Sequence, residues 1–323
     1  MSNFLKETAV RDSVLQALAL MTNIAPTVWR NAGGSFTGVA GDAITIRVPA
    51  YTEADSRTLR NGGVRNRRGL FESSVTVSLD TNLYRDVPLT DPNLTLDILS
   101  FNRQVLNPVL AAIARGIEKK VVTDAIEAAT YAHQVAFNVN DPYSSIVAAR
   151  KKLNLSNVPA GNRTLAVGAD IAEALLASPQ FARADQSGST GALREGEIGR
   201  IAGMPVIESN AIAPNKAYAY HQTAYVLSLQ APAVPDGAPS GFTAVEDGYA
   251  IRLVQVMDSN SLNNIVAADV FVGAGPVMDV GSFDENGVWV PSENPDDSSS
   301  SEAGEETFVR GVELTLDEES SSS

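Results

Sequence analysis

One long apolar stripe limits the folds open to this chain more than any other feature. Apolar side chains recur every four residues, at Phe101, Val105, Val109, Ile113, Ile117 and Val121. This spacing is that of a helix face buried against a core, and Leu106 and Leu110 widen the face. Pro108 fits only the first helical turn, with Asn107 as the cap. The pattern therefore predicts a helix from 108 to about 131, about 36 Å long at the rise of an α-helix.

Two alternating segments before this helix predict the arms of one β-hairpin. The apolar residues of the first segment are Ile44, Ile46 and Val48, and those of the second are Val75, Val77 and Leu79. Alternation of this kind places one face of each strand against a core. The connection between the segments is much longer than a tight hairpin needs, which is typical of a functional or exposed loop.

The connection is also strongly basic. It contains no acidic residue between 57 and 68 and five arginines: Arg57, Arg60, Arg65, Arg67 and Arg68. One interpretation is a solvated surface loop. The other is an arm that reaches the acidic surface of a partner, because the planar guanidinium pairs bidentately with carboxylates. Both interpretations remain open on the residues alone.

The rest of the chain reads as a mixed α+β protein. The segment 4–29 has helical spacing and ends before Pro26, and the segment 138–245 alternates short helices and strands. Segments rich in Val, Ile and Tyr at 249–259 and 264–278 predict strands that return to pair with the hairpin and the long helix. The segment 279–323 mixes short β-prone pieces with Ser and acidic blocks, which favours a linker or a partly disordered tail.

The charge is unevenly distributed. The net charge is −14, but residues 1–278 hold 25 acids against 23 Lys and Arg, while residues 279–323 hold 13 acids and only Arg310. A near-neutral body lacks the basic surface that tight DNA binding requires. No apolar segment approaches the length that spans a bilayer, so we expect a protein that does not enter membranes.

No pattern in the sequence indicates catalysis. There are no cysteines, and the two histidines, His133 and His221, fall in different segments and are interpreted as structural. Zinc-binding, calcium-binding and serine-nucleophile motifs are absent, so we expect no enzyme activity, no metal and no cofactor. The segment VFVGAGPVM at 270–278 begins like a dinucleotide-binding turn but lacks the third glycine, which leaves an oxidoreductase as a weak rival. A surface-layer or adhesion protein is disfavoured because no export signal is found.

The segment EGEIGRIAGMPVIESNAI, residues 195–212, resembles a motif of tailed-bacteriophage major capsid proteins. In that motif a glycine-flanked turn precedes a strand. Gly199 and Gly203 would turn the chain here, and Pro205 would stiffen the start of the strand. The segments 169–181 and 249–273 are also similar to recurrent segments of that family.

The resemblance implies an α+β protein with the fold shared by tailed phages, herpesviruses and encapsulins. Its parts are an N-terminal arm and helix at 1–38, an extended β-hairpin loop at 39–90, a peripheral-domain spine helix at 91–137, an axial α+β domain at 138–248, returning peripheral strands at 249–278 and an acidic C-terminal extension at 279–323. This extension has no counterpart in the family, and we expect a small β-containing appendage that faces solvent. The segment 53–90 has no lysine, so the covalent Lys–Asn cross-link of some relatives has no donor there.

The implied function is that of a major capsid protein that self-assembles, as hexamers and pentamers, into an icosahedral shell around double-stranded DNA without gripping it tightly. The implied partners are further copies of the chain, a separate scaffolding protein, a portal and possible decoration proteins. Assembly is expected in the host cytoplasm and the final location is the virion. The alternative with the same fold is an encapsulin-type compartment that packages an enzyme.

Overall fold

The computed structural model describes residues 7–32, 43–48, 54, 73–89, 102–178, 199–258, 263–291 and 305–316. The helices in this part of the chain are α1 Glu7–Leu20, α2 Asn107–Val121, α3 Pro142–Leu155 and α4 Ala169–Ala177. Within these residues, no helix combines the length and the apolar character needed to cross a bilayer. The mixture of helices and sheets confirms the predicted α+β class.

The predicted long helix is present, with different ends. The chain is already helical at Asn102–Leu106, in a π-helical turn, and Leu106 continues into α2 with helical dihedral angles. The prediction that the helix begins at Pro108, capped by Asn107, is therefore wrong. A proline ring clashes with the carbonyl four residues earlier in a regular α-helix, and a wider turn is a known way to accommodate such a residue. A second π-helical turn ends the helix at Val122–Ile126, not at 131.

The first sheet lies beside α1 and α2. Its strands run in the order β1 Trp29–Ala32, β10 Tyr225–Gln230, β13 Asn264–Pro276, β12 Tyr249–Met257 and β11 Ser240–Glu246. A further strand, β4 Thr81–Leu89, pairs with the opposite side of β13, where Ile265 faces Pro88 and Val272 faces Thr81. The segment 264–276 therefore pairs with the strand that follows the predicted hairpin, whereas the prediction had it pair with the hairpin itself.

The hairpin arms are β2 Ala43–Val48 and β3 Ser73–Ser78, which pair antiparallel with Ile46 opposite Val75. The second sheet runs in the order β5 Gln134–Phe137, β17 Gly311–Leu316, β9 Lys216–His221, β6 Arg163–Val167, β8 Met204–Glu208 and β7 Arg200–Ile201. A third, three-stranded sheet has the order β15 Trp289–Pro291, β14 Asp279–Phe283 and β16 Glu305–Thr307.

The segment 311–316 corrects the expectation of a solvent-facing appendage. β17 lies inside the second sheet, parallel to β5 and antiparallel to β9. Its alternate residues Val312 and Leu314 are fully buried beneath α3 and α4, while Glu313 on the other face binds Lys216. Burial of Val312 and Leu314 stabilises this strand, which explains why it is ordered although the surrounding sequence is acidic.

Strand pairing also differs from the expected boundary at residue 248. That boundary would separate β11 from β12, whereas the two strands are hydrogen-bonded neighbours from Glu246–Tyr249 to Ser240–Gln255. β10 likewise pairs with β13 in the first sheet. The chain therefore leaves the second sheet after β9, near residue 222, because the apolar faces of β10 and β11 belong to the core formed with α1 and α2.

Two hydrophobic cores meet at β9. Ala217 and Ala219 face the core formed with α3 and α4, whereas Tyr218 and Tyr220 face the core of the first sheet and α2. Alternate residues of a strand point to opposite faces, so β9 is buried on both sides and connects the two cores.

Candidate functional site

The five arginines predicted to contact a neighbour, Arg57, Arg60, Arg65, Arg67 and Arg68, lie outside the described residues. Strand β3, which follows them, is anchored to the first sheet. Val77 of β3 is buried against Val226 of β10 and against Val277, the residue after β13. A Cβ on Gly273 would lie 2.2 Å from the Ser78 carbonyl oxygen, so only glycine allows β3 to cross β13 this closely. The base of the hairpin is therefore fixed to the sheet.

The glycine-flanked turn at 199–205 joins β7 to β8. Gly199 and Gly203 have positive φ of 71° and 85°, and Ala202 between the strands also has a positive φ of 49°. Two successive positive φ values are the geometry of a type I′ hairpin turn. Pro205 lies within β8 opposite Arg200, at the end of the sheet.

Side chains from neighbouring elements hold this turn in place. Arg150 of α3 donates from Nη1 to the Ala202 carbonyl oxygen at 2.8 Å, and Arg200 donates from Nη2 to the Gly203 carbonyl oxygen at 3.0 Å. The backbone N–H of Val206 donates to the Gly199 carbonyl at 2.9 Å. The turn therefore presents a fixed surface at one end of the second sheet.

A buried carboxylate fastens the segment after α1 to the long helix. Glu118 is only 7% exposed, and its carboxylate accepts hydrogen bonds from the backbone N–H groups of Asn23, Ile24 and Ala25 at 2.8–3.1 Å. Burial raises the pKa of Glu118, and the three N–H donors oppose that rise. The sequence contains a signal for this residue, because Glu118 interrupts the row Leu106, Leu110, Ala114 and Val122 of the helix.

The same segment is tied to both sheets by hydroxyl pairs. The Thr22 Oγ1 lies 2.7 Å from the Tyr249 hydroxyl in the first sheet, and the Thr27 Oγ1 lies 2.6 Å from the Tyr220 hydroxyl in the second. The chain between α1 and β1 is therefore held by the long helix and by both sheets at once.

Aromatic side chains fill the junction of the two sheets. The Tyr131 hydroxyl donates to the Ile126 carbonyl at 2.8 Å and lies 2.6 Å from the Tyr225 hydroxyl. The Phe308 ring stacks on Tyr225 at 5.3 Å and meets Tyr131 edge-on at 5.1 Å. Burial raises the pKa of both Tyr131 and Tyr225, so these hydroxyls stay protonated at any physiological pH.

Ion pairs fasten the C-terminal strands to the rest of the chain. Arg310 donates to both carboxylate oxygens of Asp279, at 2.6 and 2.5 Å, and its Nη1 lies 3.0 Å from the Thr223 hydroxyl. Lys216 pairs with Glu313 at 2.7 Å. These partly buried ion pairs connect β14 and β17 to β9 and to the residues that follow it. β14 and β17 are therefore held against the rest of the fold.

The histidines make local structural contacts. His133 Nε2 lies 3.1 Å from the Ser156 hydroxyl, and His221 Nδ1 lies 2.9 Å from the Thr223 hydroxyl. Burial lowers the pKa of both rings, which favours neutral imidazoles. Among the described residues, no group of three or more His, Asp or Glu side chains is placed to hold a metal ion.

The glycines at the end of the segment 270–278 do not form a phosphate-binding turn. β13 runs as a continuous strand through Gly273 and Gly275 to Pro276, paired with β10 along this stretch. A dinucleotide-binding turn needs the chain to leave the strand at its glycines and begin a helix. The weak oxidoreductase hypothesis therefore lacks the geometry on which it depended.

Part of the chain matches a known protein family. A family model described as phage capsid protein matches residues 103–231, which run from the start of the long helix to the end of β10. No curated protein sequence matches the chain. The family match covers 129 of the 323 residues.

Solved structures share the fold over most of the chain. A chain of Mycobacterium phage Che8 is 18% identical with a TM-score of 0.54, and the match covers 91% of this chain and 90% of that one. The capsid of cyanophage P-SCSP1u is 11% identical with a TM-score of 0.54, covering 92% and 86%. The acid-stable capsid of Helicobacter pylori bacteriophage KHP30 is 12% identical with a TM-score of 0.52, covering 87% and 86%.

These structures share the fold over 87–92% of the chain, beyond the residues of the family match. Residues 103–231 therefore match the phage capsid family model, and the chain as a whole has the fold of these solved phage structures.

Proposed function

We propose that this protein assembles, as hexamers and pentamers, into a closed icosahedral shell around double-stranded DNA. The observation that carries the proposal is the phage capsid match over residues 103–231, the part that contains the long helix and most of the second sheet. The near-neutral charge of residues 1–278 supports it, because a wall of this charge encloses DNA without binding it tightly.

The hairpin arm is the proposed clasp between subunits. Its base is held by Val77 and by the close crossing of β3 over Gly273, so a contact made by the arm would be anchored in the first sheet. Arg57, Arg60, Arg65, Arg67 and Arg68 would pair with carboxylates of a neighbouring subunit. A single exposed ion pair contributes about 0–1 kcal/mol, but pairs repeated over a closed lattice act together.

Further partners follow from the same proposal. A separate scaffolding protein would set the curvature of the shell, a portal would occupy one vertex and decoration proteins could cover the outside. Assembly would take place in the host cytoplasm, and the finished protein would reside in the virion. The proposed domain limits follow the sequence with two changes: β10 and β11, which pair in the first sheet, are assigned to the peripheral part, and β17, which pairs in the second sheet, is assigned to the axial part.

Electron microscopy of the purified protein tests the proposal. We expect closed shells when the chain is produced with the other proteins of its phage, and nuclease-protected DNA inside them. Shells filled with one enzyme would support the encapsulin-type alternative instead. A protein that stays monomeric at high concentration with and without those proteins would overturn the proposal.

A further inference from the structure

An open cleft of about 530 Å³ lies between β4 and the first half of α2. Its floor is apolar, because Val105 and Val109 are buried and Val87 of β4 faces them. Gln104, Pro108, Ala112 and Arg115 recur along one face of the helix, and Arg85 stands on the strand opposite; these residues complete the lining. The cleft therefore offers an apolar groove on the surface.

Two arginines mark the cleft. Arg85 and Arg115 are both exposed, and neither forms an ion pair with any residue that the structure describes. The other lining residues carry no charge. A ligand of matching chemistry is an apolar segment that carries carboxylates, because guanidinium groups bind carboxylates with two parallel hydrogen bonds.

The three-stranded sheet β15–β14–β16 has this chemistry. Its register places Val280, Ser282, Val290 and Glu306 on one face, since Val280 lies opposite Glu306 and Ser282 opposite Val290. Val290 is 48% exposed, and Glu306 is exposed on the same face, on the other side of β14. Between residues 284 and 306 the sequence has eight acidic residues and no Lys or Arg.

We propose that this sheet on one copy of the chain docks into the β4–α2 cleft of a second copy. Val290 would contact the apolar floor, and Glu306 and the acidic turn at Glu285 would face Arg85 and Arg115. The inference rests on the proposed shell, since it requires two copies side by side. It adds a second contact between copies, distinct from the arginine-rich hairpin.

Charge favours this sheet over two other occupants of the cleft, the hairpin arm of a second copy and DNA. The hairpin arm of a second copy carries five arginines, so the two arginines of the cleft repel it. DNA requires several phosphate contacts along a groove, whereas this groove has two cations and an apolar floor. The acidic residues of the sheet are opposite in charge to the two arginines, and Val290 suits the apolar floor of the cleft.

A disulfide cross-link tests the contact directly, because the chain has no native cysteine. Gln104→Cys would be introduced in one batch of protein and Val290→Cys in another, which leaves every charge in place. Shells assembled from the mixture and then oxidised should give a covalent dimer, and shells of either variant alone should not. The matched control pairs Gln104→Cys with Lys151→Cys, an exposed position on α3, and should give no dimer.

Charge reversal provides the second measurement. Arg85→Glu with Arg115→Glu should lower the yield of shells at least tenfold, and adding Glu285→Arg and Glu306→Arg to the same chain should restore it. Normal shells without the cross-link, and with yields unaffected by reversal, would overturn the docking contact while the proposed function stands. Shells that form normally but lose their DNA on reversal would assign the cleft to DNA and also overturn it. Failure of the unsubstituted chain to form shells would overturn both.

Discussion

Glu118 accepts a hydrogen bond from the backbone N–H of Ile24 at 2.9 Å, across 94 residues of sequence. The same carboxylate also accepts hydrogen bonds from the backbone N–H groups of Asn23 and Ala25, so three backbone donors share this one acceptor side chain. Glu118→Ala leaves these donors without a partner inside the core, and an unsatisfied buried donor costs about 1–3 kcal/mol. We expect the variant to lose about 3 kcal/mol or more in the free energy of unfolding, measured by urea unfolding of the unassembled subunit.

The pH dependence of the unfolding free energy should reveal the titration of Glu118. Burial raises the pKa of Glu118 in the folded state above its ordinary value of 4.5. The folded carboxyl therefore binds its proton more tightly than the unfolded one. Its contribution to stability is fully present below pH 4.5 and is lost as the pH rises through the raised pKa. The difference in unfolding free energy between the native chain and Glu118→Gln should fall across this window.

A control variant is available for this titration. Glu246→Gln removes one negative charge at an exposed glutamate on β11 and is the matched control for the loss of a carboxylate. A Glu118→Gln curve parallel to the native one throughout the acid range would contradict the assignment.

Replacement of tyrosine by phenylalanine should have different effects on stability at two positions of the junction between the sheets. Tyr131→Phe removes the hydrogen bonds to Ile126 and Tyr225 and should cost about 1–2 kcal/mol. The Tyr218 hydroxyl is buried and has no hydrogen-bond partner among the residues that the structure describes. Tyr218→Phe should therefore leave stability unchanged or raise it. Thermal unfolding of the two unassembled variants compares them, and equal losses would show that the Tyr131 contacts contribute nothing specific.

Several parts of the fold follow from local sequence. The four-residue period of α2, the alternation of β3 and the glycines of the β7–β8 turn are local patterns, because α2 and β3 each bury one face and the turn needs positive φ values. The ends of the long helix were less predictable. The cap expected at Asn107 is replaced by a π-helical turn, whose formation depends on what packs around Pro108.

Other parts depend on distant contacts. Val312 and Leu314 alternate as in a strand, but their partners are more than ninety residues earlier, at β9 and β5. The acidic and Ser-rich surroundings favoured a tail, and nothing local identifies the pairing strands. Glu118 was visible as a charged residue in an apolar row of the helix, yet its three donors come from a segment whose position only the folded chain determines.

The position of β17 predicts the effect of truncation. Ending the chain after Phe308 removes an interior strand and leaves β5 and β9 unpaired on the facing edges. The core beneath α3 would lose Val312 and Leu314, and loss of two fully buried aliphatic side chains costs several kcal/mol, about 1.5–3 kcal/mol each. We expect this variant to be insoluble or unfolded by circular dichroism. Ending the chain after Leu316 is the matched control and should leave the subunit folded.

The arginine arm predicts a defect in assembly without a defect in folding. Arg60, Arg65, Arg67 and Arg68 replaced together by Ala should leave the unfolding of the free subunit unchanged, because the base of the hairpin is anchored separately by Val77. Electron microscopy should show fewer or malformed shells. Replacement by Lys, which keeps the charge but loses bidentate pairing, should give an intermediate result. Normal particles from the Ala variant would remove the arm from the list of subunit contacts.

Strand β17 is synthesised late, which determines when the second sheet can be completed during translation. The second sheet spans residues 134–316, and its interior strand is made after all its neighbours. A nascent chain therefore keeps the facing edges of β5 and β9 unpaired until residue 316 has left the ribosome. If the proposed shell forms, translation would delay polymerisation until the second sheet of each copy is closed.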